Sequence, residues 1–236
     1  MKANKFFQVV IDGPVEAGKG TAAKQVAQEL GYLYVDTGAM YRAACLLFLE
    51  AGLEINPENQ DQLVAALEQA DFDLHNVTDE AGNFYTRVRL DGRDITTRIR
   101  EQDVDLNVSK TAALPRIREK LVAKQQKLAQ THHVVMEGRD IGSKVLPEAT
   151  LKVFLTASLE VRARRRHEQL AKSNPQLTLE EVTRQIQERD YNDSHRATDP
   201  LTVAQDAVVF DTSGMTIPET VADLLRLVRE RIAQVN

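Results

Sequence analysis

Lys19 stands between Gly18 and Gly20 and is followed by Thr21, closing the run Asp12-Gly13-Pro14-Val15-Glu16-Ala17-Gly18-Lys19-Gly20-Thr21. That is chemistry for phosphate. Gly13 and Gly18 permit backbone angles and close approaches that a side chain forbids, so successive N–H groups can turn inward onto phosphate oxygens. Lys19 adds a point charge for the β- and γ-phosphates. Three further charged clusters lie downstream. In Glu137-Gly138-Arg139-Asp140-Ile141-Gly142, Arg139 is a bidentate phosphate donor and Asp140 an acceptor, unless the two form a structural salt bridge. Arg162, Arg164, Arg165 and Arg166 would repel one another on a helix unless carboxylates or an anion such as polyphosphate compensate them. The segment 189–199, from Arg189 through Arg196 to Asp199 before Pro200, reads as a mobile lid whose arginines swing onto a transferring phosphate; a solvated surface hairpin is the alternative. One residue is out of keeping. Glu16 puts a carboxylate inside the phosphate loop, where its repulsion must be relieved by solvent or by pairing with an arginine.

The elements that position these groups follow from apolar patterning. Phe6 to Ile11 is a strand entering the loop, and Ala22 to Leu30 is a run of good helix formers closed by Gly31, so the loop delivers phosphate to a helix N-terminus. Tyr32 to Asp36 is a second strand. Asp36 and Thr37 can cap the helix that runs to about Glu50, and Arg42 lies just over one turn beyond Thr37. A short helix at Gln62–Gln69 and period-two segments at Phe72–His75 and Tyr85–Leu90, the latter turned by Asp91-Gly92, suggest an antiparallel insertion that closes over something or is only decorative. The helical stretch Ser109–Gln130 breaks at Leu114-Pro115, since proline fits a helix start, and Arg118 three residues later can turn inward. His133–Met136, Leu151–Ala157 and Ala207–Asp211 complete five core strands, a loop is expected at Ser173–Gln176, helix at Leu179–Glu188, and Ile217 to about Gln234 is an amphipathic closing helix.

With 236 residues, 42% hydrophobic content and a formal charge of −5, the chain suits an α/β core with insertions and argues against a protein that coats nucleic acid. No segment reaches membrane-spanning length and the N-terminus shows no secretory pattern, so a cytoplasmic protein is expected. Cys45, the single cysteine, lies in an apolar run and reads as a core thiol; His75 reads as surface, having no second ligand at metal-binding spacing.

Taken together, Gly-Pro-x-x-Ala-Gly-Lys-Gly-Thr at 13–21, Asp-Thr-Gly-Ala-Met-Tyr-Arg at 36–42, Pro-Arg-Ile-Arg-Glu at 115–119, Glu-Gly-Arg-Asp-Ile-Gly at 137–142 and Arg-Asp-x-x-Asp-x-x-Arg at 189–196 resemble the bacterial cytidylate kinases, in order and over nearly the whole chain. The resemblance implies a P-loop kinase core with a five-stranded parallel sheet flanked by helices (1–61, 104–158 and 200–236), a small antiparallel-strand insertion for the nucleoside monophosphate (62–103), and a helical arginine-rich lid (159–199). It implies transfer of the γ-phosphoryl group of ATP to CMP or dCMP with Mg2+. By the same resemblance Gly13, Pro14, Val15, Glu16, Ala17, Gly18, Lys19, Gly20 and Thr21, with Arg162 and Arg165, hold ATP. Thr37, Arg42, Ser109, Arg118, Arg139, Asp140, Arg189, Asp193 and Arg196 hold the cytidine nucleotide, and Lys19, Arg189 and Arg196 neutralise charge during transfer. Asp140 suits cytosine, since a carboxylate accepts a hydrogen bond from the exocyclic amine and repels the carbonyl that uracil carries there. Gly20 lacks the hydroxyl of the usual loop, so magnesium is expected on phosphates and water, with at most a contact from Thr21. A monomer is expected, with ATP and CMP or dCMP as small-molecule substrates and neither nucleic acid nor membrane as a partner. The sequence departs from the family at Glu16 (more often Gly or Ser), Thr37 (commonly Ser), Glu137 (commonly Asp), and Asn192 and Ser194 (arginine in some members). A kinase for UMP or AMP, or a non-catalytic nucleotide-binding module, stand as alternatives.

Overall fold

A computed structural model of the chain describes residues 5–171 and 174–235. Its elements in order are β1 (Gln8–Asp12), α1 (Lys19–Leu30), β2 (Leu33–Asp36), α2 (Thr37–Glu50), α3 (Gln60–Gln69), β3 (Phe72–Thr78), β4 (Phe84–Leu90), β5 (Arg93–Asp94), α4 (Gln102–Ala113), α5 (Pro115–Thr131), β6 (Val134–Gly138), β7 (Leu151–Thr156), α6 (Leu159–Leu170), α7 (Leu179–His195), β8 (Val208–Asp211) and α8 (Ile217–Val235), with short 3-10 turns at Pro57–Asn59 and Arg98–Arg100 and a π-helical turn at Ile141–Val145. Five strands form one parallel sheet in the order β2-β6-β1-β7-β8, flanked by helices, and β3-β4-β5 form a separate antiparallel sheet. All five residues of β1 are buried, which is why its centre, Val9–Ile11, is a continuous apolar run rather than an alternating one. By its contacts the chain divides into two units, Met1–Gln8 with Ala27–Met136, and Val9–Val26 with Glu137–Asn236.

In the first unit the small sheet is held by apolar contact. Val88 and Leu90, two apart on β4 and so on one face, pack with Ile95, Ile99 and Val104 against Ala39, Ala43, Cys45 and Leu46 of α2. Each such buried aliphatic side chain is worth about 1.5–3 kcal/mol. The half-exposed Arg98–Asp103 pair at 2.6 Å belongs to a class worth about 0–1 kcal/mol, so the core and not the charge secures the insertion to α2. Asn76 of β3 adds a directional lock: its side-chain oxygen accepts the Tyr34 N–H at 2.7 Å and its amide donates to the Tyr34 carbonyl at 3.0 Å. Tyr34 lies on β2, an end strand of the large sheet, so the amide covers an otherwise exposed strand edge. Cys45 is buried in this core, and burial pushes its thiol pKa up, as expected of an inert thiol.

In the second unit β1 pairs parallel with β7, Val9 opposite Leu151 through Asp12 opposite Phe154, and β7 pairs with β8. Val15 of the phosphate loop packs with Ala163 of α6 and Val182 and Ile186 of α7, so the arginine-bearing helices rest on the loop itself. The helix expected to end near Glu188 runs on to His195. Thr178 and Glu181 form a capping box at its start, and no glycine or proline interrupts it before Pro200, so nothing in 189–195 stops the backbone hydrogen bonding. The loop expected at Ser173–Gln176 begins at a residue outside the described ones, and Met1–Asn4, where the N-terminal reading falls, also lie outside them.

Candidate active site

The phosphate loop leaves β1 at Asp12 and enters α1 at Lys19. A Cβ on Gly13 would stand 1.9 Å from the Leu155 carbonyl oxygen, so only glycine lets the loop leave the sheet there, and Gly18 turns the chain into the helix at φ +88°. Lys19 is buried and its Nζ donates to the Pro14 carbonyl at 2.7 Å, curling the side chain over the loop. Burial and then the Arg139 charge push its pKa down to about 7, against the pull of Glu137, Asp12 and Asp193. Three amide-bearing residues, Glu16 to Gly18, lie between Val15, whose N–H is given to Asp190, and Lys19, and the loop ends on a helix N-terminus, an arrangement suited to an anion.

Glu16 takes φ +59°, a left-handed conformation in which glycine is unstrained. Its carboxylate lies 3.6 Å from Arg166 Nε, which is the arginine pairing that its place in the loop demands. The four arginines of α6 divide by partner. Arg162 is buried, donating to the Ala157 and Val15 carbonyls at 2.9 and 3.0 Å and to Asp190 at 2.6 Å, while Asp190 also accepts the Val15 N–H at 3.2 Å. Arg165 donates to the Thr212 and Met215 carbonyls at 2.8 and 3.2 Å. Arg164 pairs with Glu160 on the exposed face. Arg162 and Arg165 therefore bind the frame of the loop and the entry to α8, and Arg166 is the one set against the loop's own acid.

The turn after β6 carries the second cluster. Arg139 donates to Asp193 at 2.7 Å and to the Gly138 carbonyl at 3.2 Å. Burial opposes its charge, but Asp193, Glu137 and Asp190 more than restore it and hold its pKa above the usual value. Asp140, also buried, pairs with Arg196 at 3.0 Å, and Arg196 in turn donates from Nε to the Asp199 carbonyl at 2.6 Å. Arg189 and Asp193 fall at i and i+4 on one face of the end of α7, and Arg196, its C-cap, follows at i+7 with an extended backbone. Tyr191, Asn192, Ser194 and His195 take the exposed face, where Tyr191 and His195 stack at 4.1 Å. The departures at Asn192 and Ser194 thus stand on the outward side. Beneath the turn, Asp12 accepts the Ile141 N–H at 3.0 Å and the Gly142 N–H at 2.7 Å.

In the first unit, Asp36 caps α2 by accepting the Ala39 N–H at 2.9 Å and pairs with Arg100 at 3.1 Å, while Thr37 is the buried first residue of the helix. Arg42 pairs with Asp105 of α4 at 2.6 Å. Ser109, exposed on α4, lies one turn beyond Asp105 on the same face. Arg118 has only 1% of its surface exposed. It donates to the Ala112 carbonyl at 3.2 Å and its guanidinium lies 5.5 Å from the centre of the Tyr41 ring. Sequence reasoning had not singled out Tyr41, Asp12, Asp105, Asp190 or Arg166 for these parts. Tyr41 and Asp190 carried a signal, since they fall within the 36–42 and 189–196 motifs, and Asp12 and Arg166 lie in stretches already noted; the partners of all five are tertiary. Among the described residues no group of three or more His, Cys, Asp or Glu side chains is arranged to hold a metal ion, and no helix is long and apolar enough to cross a membrane.

A glycine-bent loop between a buried parallel strand and a helix, a buried lysine curled over it, and arginines of α6 set against it define a P-loop phosphotransferase of the kinase type. The family model for cytidylate kinase matches residues 9–230. The chain is 47% identical to the cytidylate kinase of Shouchella clausii over 98% of its own length and 99% of that protein. It is 42% identical to that of Caldanaerobacter subterraneus subsp. tengcongensis and 43% identical to that of Limosilactobacillus reuteri, each over 96% of both chains. The chain belongs to the cytidylate kinase family.

Proposed function

We propose that this protein transfers the γ-phosphoryl group of ATP to CMP or dCMP, giving CDP or dCDP. The observation that carries the reading is the tie between two sites of chemistry within one unit: Asp140, the acid suited to cytosine's amine, sits on a turn whose next two amides are held by Asp12, the residue that opens the phosphate loop. In this reading Gly13 to Thr21 wrap the phosphates of ATP, and Lys19 leaves the Pro14 carbonyl for the transferring group, whose charge raises the lysine's lowered pKa and fixes it as an ammonium. Arg189 near the end of α7 and Arg196 at its C-cap neutralise the moving phosphoryl group, with no strong base required because positioning and charge carry the rate. Asp140 accepts from the cytosine amine, Asp193 from the ribose, and Thr37, Arg42, Ser109, Arg118 and Arg139 hold the remainder of CMP.

Residues 62–103 serve the monophosphate and 159–199 act as the lid, Arg162 and Arg165 fastening the base of that lid to the loop. Magnesium is the metal that suits a loop offering hard oxygen donors: both Asp12 oxygens are taken by amides, and the Thr21 hydroxyl, exposed on the first turn of α1, is the loop's own contribution beside phosphate and water. Bound there, the ion draws charge from the phosphate oxygens. The protein acts in the cytoplasm as a monomer, without nucleic acid or membrane as partner, in keeping with its charge of −5.

The test is a panel of acceptors with ATP and magnesium. CMP and dCMP should exceed UMP and AMP in kcat/KM by about 10²-fold or more, a gap of the size polar recognition supplies. Asp140→Asn should narrow it, and Lys19→Met should remove turnover of every acceptor. Equal use of UMP would sink the assignment, and activity surviving in Lys19→Met would sink the role of the loop.

A further inference from the structure

Asp12 is a buried acid in a place that a neutral residue would fill at less electrostatic cost. It has 4% of its surface exposed, and burial pushes its pKa up to about 6, with the Asp140 charge adding to the rise while the Gly142 and Ile141 amides and Lys19 oppose it. Its two oxygens each receive one backbone N–H, from Ile141 at 3.0 Å and from Gly142 at 2.7 Å. These are the two amides immediately after Asp140, at the opening of the π-helical turn Ile141–Val145. Amides that open a helical turn have no partner within it and, once buried, must find one elsewhere. A carboxylate is the side chain that accepts at both oxygens at once; an asparagine brings an N–H to one of the two and opposes the amide there.

The fit is close from the other side as well. A Cβ on Gly142 would stand 3.3 Å from Asp12 Oδ2 and 3.2 Å from Lys152 Cδ, so any side chain there would push the turn and Asp12 apart by a few tenths of an ångström. Asp12 itself is fixed in the sheet, paired with Phe154 of β7. The Asp140 carbonyl then receives the Lys144 N–H at 2.9 Å, closing the turn. The position of Asp140 and Arg139 is thereby tied to a rigid strand through two hydrogen bonds and one close contact.

We propose that Asp12 is a positioning residue for acceptor recognition, holding the turn that presents Arg139 and Asp140 to the nucleoside monophosphate. The inference rests on the cytidylate kinase reading and adds to it a residue that touches neither nucleotide. Because Asp12 also precedes the phosphate loop, a role confined to shaping that loop would appear in the ATP parameters; a role through the turn appears in the acceptor parameters. A misplacement of about 1 Å at a reacting or reading group is enough to cost on the order of 10²-fold.

The experiment measures steady-state kinetics of the full chain and of Asp12→Asn with ATP, CMP, dCMP and UMP, together with amide hydrogen exchange of the 139–145 segment. In Asp12→Asn the kcat/KM for CMP should fall about tenfold to hundredfold, the preference for CMP over UMP should narrow, KM for ATP should stay within about twofold, and Ile141 and Gly142 should exchange faster. Gly142→Ala disturbs the same contact without touching the acid, and it should shift the same quantities in the same direction even if Asp12→Asn folds poorly. A loss confined to KM for ATP, or a CMP preference unchanged in both variants, overturns the inference. A wild type that does not select CMP refutes the function it rests on, and is told apart from failure of the inference alone, in which the wild type selects CMP and both variants do so equally well.

Discussion

The arginines assigned to substrate in the two units are held in different ways. In the first unit Arg118 is locked: it is buried, donates to a backbone carbonyl and lies against Tyr41, and none of these contacts is itself a substrate group. Arg42 meets Asp105, an acid with 40% of its side chain exposed, at 2.6 Å. In the second unit Arg139 and Arg196 pair with Asp193 and Asp140, the two acids that the proposed function gives to ribose and base. Under the proposed function Arg139 and Arg196 would trade a carboxylate for phosphate oxygens, whereas in the first unit substrate would join a cation that keeps its present partners. For the two arginines such an exchange replaces one anionic partner by another, which matters because leaving a buried charge uncompensated costs several kcal/mol.

The sharpest way to break that contrast is to remove one acid from each unit. Asp193→Asn strips the strongest partner from Arg139, whose charge persists in a site where burial opposes it. It should lose about 10²-fold in kcat/KM for CMP and about 2–4 kcal/mol of folding stability. Asp105→Asn removes a half-exposed partner of Arg42, which keeps the Ile99 carbonyl at 3.5 Å, and should cost under about 1 kcal/mol and less than threefold in rate. Kinetics and denaturant melts of the pair decide the matter, and equal losses would erase the distinction.

A smaller effect sharpens it through pH. Facing Asp12 are the Ile141 and Gly142 amides, Asp140 and Lys19, and the balance leaves its pKa raised from 3.8 to about 6. Below about pH 3 folded and unfolded chains both hold the proton and the group contributes nothing to pH dependence. Between about pH 4 and 6 the unfolded chain releases it first, so the native state loses stability as pH rises, reaching a plateau of up to about 3 kcal/mol above pH 6. Asp12→Asn lacks this dependence. The stability difference between wild type and variant should therefore move against the wild type from pH 4.5 to 7, measured by urea unfolding. A difference flat with pH would mean that burial does not raise the pKa of the acid.

What could be read from the sequence was whatever depends on local pattern. Gly13, Gly18 and Lys19 announced the loop because turn geometry and charge are encoded at fixed spacing; Pro115 marked the break between α4 and α5 because it lacks an N–H; and the inward turn of Arg118 was suggested by its distance from that break. The boundary of α7 was missed because charge was taken as a sign of a loop, although Arg189, Asp193 and Arg196 have helical spacing and nothing there breaks a helix. The division of labour within 162–166 was beyond reach. Whether an arginine meets a carbonyl, as Arg165 does at Thr212 and Met215, or an acid, as Arg166 does at Glu16, depends on chain segments distant in sequence. Asp12 was hidden for the same reason, its partners Ile141 and Gly142 lying 129 and 130 residues away.

The smallest expected effect concerns Glu16, the loop's acid, and asks whether Arg166 belongs with the exchanging arginines or the fixed ones. A non-glycine residue at φ +59° costs about 1 kcal/mol or more, and the ion pair at 3.6 Å, with the two side chains 33% and 21% exposed, returns no more than about 1 kcal/mol. Glu16→Gly should therefore change stability by about 1 kcal/mol or less, in the variant's favour. Glu16→Gln keeps the strained backbone and removes only the charge. If Arg166 turns from Glu16 to phosphate when ATP binds, the carboxylate is left opposing the triphosphate, and both variants should lower KM for ATP by about twofold to fivefold, the scale of one screened charge at a solvated site. A KM that falls in Glu16→Gly alone would trace the effect to backbone strain. A KM unchanged in both would place Arg166 with Arg162 and Arg165, as an arginine that serves the frame of the loop and never leaves it.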